Sequence, residues 1–583
     1  MTSLENKRHT LAHLLAQAVL NRYPNAQLTL GPAIDTGFYY DIDFGTEKIG
    51  DADLPKIEAA MRKLLPAWKE FTSEEVTKDA ALEKFSSPAG ANPYKAEMIE
   101  EIAGRGEKIT LYTCGKFTDL CRGGHAENPA KEIAPDSFAL DRVAGAYWRG
   151  DEKNPMLTRI YGLAFDTKEE LDAHKAQREE AKRRDHRKLG KELELFTIID
   201  EIGPGLPLFY PKGALLRRTI ENYITDLQES RGYVPIWIPH ITKGTLYEIS
   251  GHLQKYDAMY SPMKVDEEDY YIKPMNCPHF MMLYRTLPHS YKQLPLRYTS
   301  TTTNYRYEKS GELSGLTRVR ALTQDDCHVF CTPEQIEDEI TLMAEMIGEV
   351  YRTFGFEDFW VRISLRDSKN IEKYLGDNEV WNTAEDALRS VIKKTGWKYQ
   401  EVENEAAFYG PKLDFMLKDA LGREWQLSTI QLDFNLPKRF ELEYTDTEGK
   451  KAQPVVIHRA ILGSTERFMG IMIEHYAGAF PLWLSPVQVR VLAISEKHVE
   501  YAKEVFNTLK VANIRVEIDD ANESLGKKIR DAKTKKIPYL LVVGDKEMEE
   551  KTVSPDSRDH GKLVAMSVAD FIVRATEEVK LRK

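Results

Sequence analysis

Two pairs of side chains near the N-terminus have a spacing that could hold a metal ion. His9 and His13 are four residues apart in HTLAH, and Cys121 and His125 are four apart in CRGGH. Residues four apart lie on one face of a helix, so both imidazoles of the first pair are expected to face one space. The four N and S ligands together predict a tetrahedral zinc site. Thr10 follows His9, where a zinc protease of the HExxH type has its catalytic glutamate, so peptide hydrolysis is disfavoured.

A second candidate zinc set is spread over the middle of the chain. It consists of Cys277 in MNCPHF, His328 in QDDCHVF and His458 in VVIHRAILGSTER. One cysteine and two histidines leave a fourth coordination position open, as in catalytic zinc sites. Because the spacing is wide, each residue taken singly is more typical of a packed core position.

A predicted hairpin carries charged side chains that could bind a nucleotide. The segments LPLRYTSTTTNYRYE and TRVRALTQDDCHVF flank the glycine-containing loop KSGELSGL, which predicts two long antiparallel strands. Arg306 and Glu308 are expected on one face of the first strand, with Arg318 and Arg320 on its partner. A guanidinium could then bind a phosphate while the carboxylate accepts from an adenine amino group. The alternative is a cross-strand salt bridge.

The elements that position these residues predict a multidomain chain of α+β and α/β parts. Residues 1–165 mix short strands such as GFYYDIDF and AYWRGDEK with amphipathic helices, as in an α+β domain. Residues 166–194 are almost entirely charged or helix-forming and predict a solvated linker helix. Residues 195–484 contain the hairpin. Residues 485–583 alternate strand and helix, which predicts a small α/β domain with a mostly parallel sheet.

Composition limits the function classes. The 583 residues suggest three or four domains, and 42% hydrophobic with 30% charged residues excludes wholesale disorder. No apolar window is long enough for a membrane span, and the N-terminus lacks secretory signal features, so we expect a cytoplasmic protein without a membrane partner. Five cysteines are too few for a disulfide scaffold. A net charge of -11 disfavours general polyanion binding but leaves a local RNA contact open.

Three segments in order resemble the signature motifs of class II aminoacyl-tRNA synthetases. They are GALLRRTIENYITDLQESRGYVPIWIP, the hairpin, and GSTERFMGIMIEH. The resemblance implies an antiparallel-sheet catalytic core in residues 195–484, a homodimer interface at the first motif, and ATP held with Mg²⁺. It also implies that Arg306 binds the α-phosphate and Arg467 the far end of the triphosphate.

The phrases NYRYE, GLTRVR, QDD, AFYGPKLDF and STIQLDFNLP extend the resemblance, over nearly the whole chain, to the threonyl-tRNA synthetase family. The implied substrates are L-threonine, ATP and tRNA(Thr). One Zn²⁺ on Cys277, His328 and His458 would take the amino group and hydroxyl of threonine together, so valine could not complete the coordination. The implied catalytic residues are Arg306, Arg467, Glu308, Arg318 and Lys412, and the implied amino-acid-binding residues are Asp326, Tyr409, Gln426, Gln431 and Ser464.

Serine keeps the hydroxyl and lacks only a methyl group, a difference of about 1–3 kcal/mol, so binding alone rejects it poorly. The resemblance implies an editing domain in residues 1–165 that hydrolyses seryl-tRNA(Thr). In the family this pocket is generally thought to work without metal, so the zinc interpretation and this one both stay open. The implied editing residues are His9, His13, Lys95, Asp119, Cys121 and His125. Residues 485–583 would form the anticodon-binding domain, with Glu547 contacting the anticodon.

The sequence departs from the family pattern at several places. The chain starts almost at the editing helix, where many bacterial members first have a ubiquitin-like domain, and we expect catalysis to survive its loss. Leu322 replaces an aromatic residue expected to stack on adenine, Pro555 and Asp556 replace Val-Arg near the anticodon, and Gly124 replaces a proline before His125.

Three other functions are weighed against a threonine-tRNA ligase. A non-catalytic threonine sensor or RNA-binding paralogue should have a broken second or third motif, and both motifs are intact. A freestanding zinc hydrolase built on His9 should work without the rest of the chain. A synthetase for another amino acid, such as proline, is disfavoured by the Cys-His-His set.

Overall fold

The computed structural model describes residues 3–87 and 90–582. The chain divides into two compact units, Met1–Glu179 and Glu180–Lys583. Within the described residues, no helix is long and apolar enough to cross a membrane.

The first unit packs one long helix against a five-stranded antiparallel sheet. The helix Ser3–Arg22 buries a continuous run from Thr10 to Val19, which places His9 and His13 on one face at the edge of the core. A separate three-stranded sheet carries Asp119 and ends just before Cys121. The larger sheet comprises Gln27–Leu28, Ala33–Ile34, Gly37–Asp43, Phe138–Tyr147 and Met156–Ala164, and the smaller one Thr72–Val76, Ile109–Cys114 and Phe117–Leu120. The other α-helices that lie wholly within the unit are Leu54–Leu64, Lys78–Lys84, Pro93–Gly104 and Pro129–Glu132.

The predicted position of the strand AYWRGDEK is wrong. The strand of that region is Phe138–Tyr147, and a short 3-10 helix, Trp148–Gly150, follows it. Positive φ angles at Arg149 and Gly150 turn the chain out of the sheet.

The predicted single linker helix is also wrong. It is two helices, Lys168–Arg184 and His186–Glu192, because the carboxylate of Asp185 accepts from the N–H of Arg187 (2.8 Å) and caps the second helix. The first helix buries only Leu171, as expected for a solvated segment. The second, however, buries His186, Leu189 and Gly190.

The centre of the second unit is an eight-stranded sheet in which all pairings but the two at its edges are antiparallel. In spatial order its strands are Val234–Pro235, Leu296–Tyr305, Ala321–Cys331, Val455–Ala460, Glu424–Asp433, Lys412–Lys418, Phe359–Ser364 and Tyr399–Val402. Its long helices are Pro211–Ser230, Cys277–Arg285, Ile336–Thr353, Asn378–Thr395 and Thr465–His475.

The predicted antiparallel hairpin is confirmed, with Leu296 opposite Phe330 and Tyr305 opposite Ala321. The expected placement of the four charged residues on its strands is wrong, because the first strand ends at Tyr305, before Arg306, and the second begins at Ala321, after Arg320. The N–H of Glu308 donates to the carbonyl of Arg306 (2.9 Å), a tight turn that takes the chain out of the ladder.

The last part of the second unit is an α/β sheet that is less parallel than predicted. Val516–Asp519, Val489–Ala493 and Tyr539–Val543 are parallel, but Thr552–Ser557 adds antiparallel to the last of them. Gly561–Lys562 and Met566–Ser567 pair antiparallel with that added strand. The helices are Val499–Val511, Leu525–Thr534, Asp545–Glu550 and Val568–Lys580.

Candidate functional site

One cavity over the eight-stranded sheet gathers the residues predicted for catalysis and amino-acid binding. The register of the sheet explains this, because His328 is paired with His458, His458 with Gln431, and Gln431 with Lys412. Residues directly opposite each other on neighbouring strands project to the same face, so these four form a row across the sheet. The predicted residues that line the cavity are Cys277, Arg306, Glu308, Arg318, Asp326, Tyr409, Lys412, Gln426, Gln431, His458, Ser464 and Arg467.

The Cys277, His328 and His458 side chains form one buried cluster with ligand atoms within 4.8 Å of one another. Both ring nitrogens of His328 and Nδ1 of His458 are buried without a hydrogen-bond partner among the described residues. Asp433 lies 2.9 Å from Nε2 of His458, so Nδ1 is the ring nitrogen that can bind a metal ion once it has lost its proton. Such converging, unpaired ligand atoms fit a metal ion of the zinc type.

The charges of the cluster also suit a cation. Burial, and then the neighbouring His458 and Arg459, hold the pKa of His328 well below its usual range, so its imidazole is neutral. Burial disfavours charge on His458, but Cys277 and Asp433 raise its pKa to about 10. Without a metal the cluster therefore retains a proton, and metal binding would release it.

Three guanidinium groups lie on the other side of the cavity. Arg467 donates from Nε to the carbonyl of Thr317 (2.9 Å), and Ser464 caps its helix by accepting from the Arg467 N–H (3.1 Å). Burial, and then Arg306 and Arg318, lower the pKa of Arg467. Three cations held this close form a site for a polyanion.

The salt bridge considered as an alternative for the hairpin is present. Arg318 pairs with Glu308 at 2.8 Å, and Nε of Arg320 donates to the Glu308 carbonyl at 3.0 Å. Arg306 has no carboxylate partner among the described residues; its Nε donates to the carbonyl of Pro274 (3.3 Å). The guanidinium of Arg306 is therefore not committed to an ion pair and is available for a ligand.

The amino-acid side of the cavity is organised by buried carboxylates. Burial raises the pKa of Asp326 to about 6, and Asn276 donates to it at 2.9 Å. Asp414 lies 2.6 Å from Nζ of Lys412 and accepts from Gln426 at 2.7 Å. The Tyr409 hydroxyl donates to Gln431 (2.7 Å). Sequence reasoning did not find Asn276, Asp414 or Asp433. The two aspartates lie on strands, whose side-chain periodicity gives no signal for them, and Asn276 directly precedes the helix Cys277–Arg285.

The first unit brings together all six residues predicted for editing. Sγ of Cys121 lies 3.5 Å from Nε2 of His9 and 3.4 Å from Nε2 of His125, and the two helix imidazoles are 3.2 Å apart. Asp119 lies 3.2 Å from Nδ1 of His13 and 2.5 Å from Nζ of the buried Lys95. Tyr40, which sequence reasoning missed, donates to Asp119 at 2.5 Å.

The charges in this pocket balance within the protein. Burial opposes charge on both groups, but hydrogen bonds with His125, His13 and His9 lower the pKa of the Cys121 thiol to about 3, and Asp119 and Cys121 raise the pKa of His13 to about 9. At neutral pH the thiolate and imidazolium neutralise each other, as do Asp119 and Lys95. The ligand set could hold a metal ion, since all four ligand atoms lie within 4.8 Å, but its charge does not require one.

Glu547 lies in the helix Asp545–Glu550, and both of its carboxylate oxygens have partners. One accepts from the N–H of Gly544 (3.0 Å) and the other from the hydroxyl of Ser554 (2.6 Å). The side chain of Glu547 thus caps the N-terminus of its own helix.

Comparisons with known proteins identify the class to which this fold and site belong. A family model described as tRNA synthetase class II core domain (G, H, P, S and T) matches residues 260–476, and an anticodon binding domain matches residues 488–578. The threonyl and alanyl tRNA synthetase second additional domain matches residues 109–161. With the antiparallel sheet and its cavity, these matches define a class II aminoacyl-tRNA synthetase.

Whole-chain relatives narrow the class. The chain is 50% identical to a threonine–tRNA ligase of Rubrobacter xylanophilus over 99% of its length and 89% of the relative. It is 48% identical to one of Cytophaga hutchinsonii, over 98% and 88%. A solved RNA binding domain of threonyl-tRNA synthetase from Cryptosporidium parvum is 39% identical, with a TM-score of 0.65 over 68% of this chain and 98% of that one. The chain belongs to the threonine–tRNA ligase family.

Proposed function

We propose that this chain is a threonine–tRNA ligase in which residues 195–484 activate threonine with ATP and transfer it to tRNA(Thr). The observation that carries the proposal is a single cavity in which Cys277 and His458 of the buried Cys-His-His cluster lie beside Arg306, Arg318 and Arg467. A binding site for a small amino acid thus adjoins a site for a triphosphate. The intact second and third motifs disfavour a non-catalytic sensor.

In the first step a carboxylate oxygen of threonine attacks the α-phosphorus of ATP, the bond to pyrophosphate breaks, and threonyl-adenylate forms. Arg306 stabilises the charge that grows on the α-phosphate, and Arg467 holds the far end of the triphosphate, where Mg²⁺ accompanies the ATP. Lys412 helps hold the carboxylate or phosphate, and Leu322, which lines the cavity, gives adenine an apolar contact in place of a stacked ring. In the second step the threonyl group passes to tRNA and AMP leaves.

Cys277, His328 and His458 would hold Zn²⁺, which would supply a Lewis acid for the amino group and hydroxyl of threonine. Asp326 binds the hydroxyl from the protein side. Tyr409, Gln426 and Gln431 close the rest of the amino-acid pocket. Valine lacks the hydroxyl and is therefore excluded.

We also propose that residues 1–165 hydrolyse seryl-tRNA(Thr), that residues 166–194 connect this editing domain to the catalytic domain, and that residues 485–583 bind the anticodon with Glu547. The editing pocket works without metal in this proposal, because its charges already balance. Dimerisation through the first motif and a cytoplasmic location complete it.

Replacing His13 by alanine should leave threonine charging of tRNA(Thr) intact while seryl-tRNA accumulates. The change removes the imidazole between Asp119 and Cys121 that charges the thiolate pocket. Charging of tRNA with labelled threonine and labelled serine measures both products, and the wild type should yield threonyl-tRNA alone.

His174→Ala, on the solvated helix of the same unit, serves as the matched control and should clear serine normally. His9→Ala provides a second test at a less buried position. Clearance of serine by both pocket variants at the wild-type rate would refute the editing role. Loss of clearance by the wild type in a chelator would instead support the metal alternative.

A further inference from the structure

A buried histidine of the segment predicted as a solvated linker contacts both nucleotide-binding motifs. Nδ1 of His186 lies 2.6 Å from Oε1 of Glu474, and the N–H of Leu316 donates to Nε2 of His186 at 3.0 Å. Leu316 belongs to the connection between the hairpin strands, and Glu474 to the helix that carries Arg467. The imidazole is 3% exposed, so water does not compete for either contact.

These contacts fix the tautomer of the imidazole. A backbone N–H can only donate, so Nε2 of His186 must be unprotonated. Nδ1 therefore carries the proton and donates to Glu474, whose other oxygen is paired with Arg423. The ring acts as a directional link between a helix and a loop.

The backbone at Gly315 packs directly against the imidazole ring of His186. Gly315 has φ +48°, and a Cβ there would lie 2.1 Å from Nε2 of His186. The next residues face the cavity: the carbonyl of Thr317 accepts from Arg467, and Arg318 lines the cavity beside Glu308. The hydrogen bond from Leu316 is thus one residue from a contact of Arg467 and two from Arg318.

We propose that His186 is a positioning residue for ATP, which holds the connection 315–318 against the third-motif helix so that Arg318 and Arg467 present their guanidinium groups to one triphosphate. This inference rests on the proposed function, since it assigns ATP to the cavity. The linker then contributes to activation as well as joining the two units. His186 itself does not line the cavity.

Two variants separate positioning from simple packing. In His186→Gln the longer amide can still accept from the Leu316 N–H, whereas in His186→Asn the shorter amide can reach only Glu474. We expect the Asn variant to bind Mg-ATP about fivefold to fiftyfold more weakly in calorimetry, because a buried N–H loses its acceptor. The Gln variant should regain most of the affinity. Threonine binding and bound zinc should change less than about twofold in either variant.

His498→Asn is the matched control. His498 is equally buried, with ring contacts to Ser495 (3.0 Å) and Asp545 (3.1 Å), but lies in the last domain, and its loss should leave ATP binding unchanged. Equal ATP affinity in the Asn and Gln variants and the wild type would overturn the inference. So would equal weakening of ATP and threonine binding in both variants, which marks a packing role. Failure of the proposed function would show differently, as absent threonine-dependent pyrophosphate exchange in the wild type.

Discussion

Replacing Arg306 by alanine should slow threonyl-adenylate formation by about 10²- to 10³-fold, the cost of removing one charged donor from a developing phosphate charge. Among the described residues Arg306 has no carboxylate partner, so its guanidinium is not committed to a structural ion pair. Threonine-dependent exchange of pyrophosphate into ATP measures the effect, and zinc content should be unchanged. Arg306→Lys keeps the charge but not the planar fork and should recover only part of the rate.

Arg285→Ala provides the control for Arg306. Arg285 lies in the same catalytic domain but pairs with the exposed Glu441 at 2.8 Å, outside the cavity. It should exchange pyrophosphate at the wild-type rate. A near-normal rate for Arg306→Ala would mean that another group stabilises the α-phosphate.

Replacing Cys277 by serine should lower bound zinc from about one ion per chain to near zero, because a hydroxyl is a far weaker zinc ligand than a thiolate. Threonine activation should fall by at least about 10²-fold, since in the proposed mechanism the substrate would lose its Lewis acid. Elemental analysis of the purified protein and pyrophosphate exchange measure the two effects independently.

Cys331→Ala is the matched control for Cys277. Cys331 is fully buried on the strand Ala321–Cys331 but outside the metal cluster. It should retain zinc and activation, although the small cavity costs about 1 kcal/mol of unfolding free energy. Retained zinc with normal activation in Cys277→Ser would remove the assigned site.

The structure brings together the residues predicted for each cluster, although parts of the predicted backbone differ. His9 and His13 are four residues apart on the helix Ser3–Arg22, and this spacing alone predicts that their imidazoles lie together. The sequence pattern predicts a strand that continues through Arg306 and Glu308, but the strand ends at Tyr305 and a tight turn follows. Such a turn depends on one local backbone hydrogen bond, and residue types do not encode it.

The buried polar partners of the site residues are also not predictable from the sequence. Asp433 contacts His458, and Asp414 contacts Lys412. Both aspartates lie on strands at positions that the alternation of polar and apolar residues does not distinguish. His186 was hidden in a run of charged residues whose average composition predicts exposure. One buried residue per turn is compatible with that composition, so only the packed structure distinguishes it.

Amino-acid-dependent exchange of pyrophosphate into ATP tests most directly the claim that the chain activates threonine. It is run without tRNA, with threonine, serine, valine or proline as the amino acid. We expect strong exchange with threonine, weaker exchange with serine, and none with valine or proline, since in the proposed mechanism only a side chain with a hydroxyl would complete the coordination of a bound zinc ion. Exchange with valine at the threonine rate, or no exchange with any of the four, would contradict this expectation.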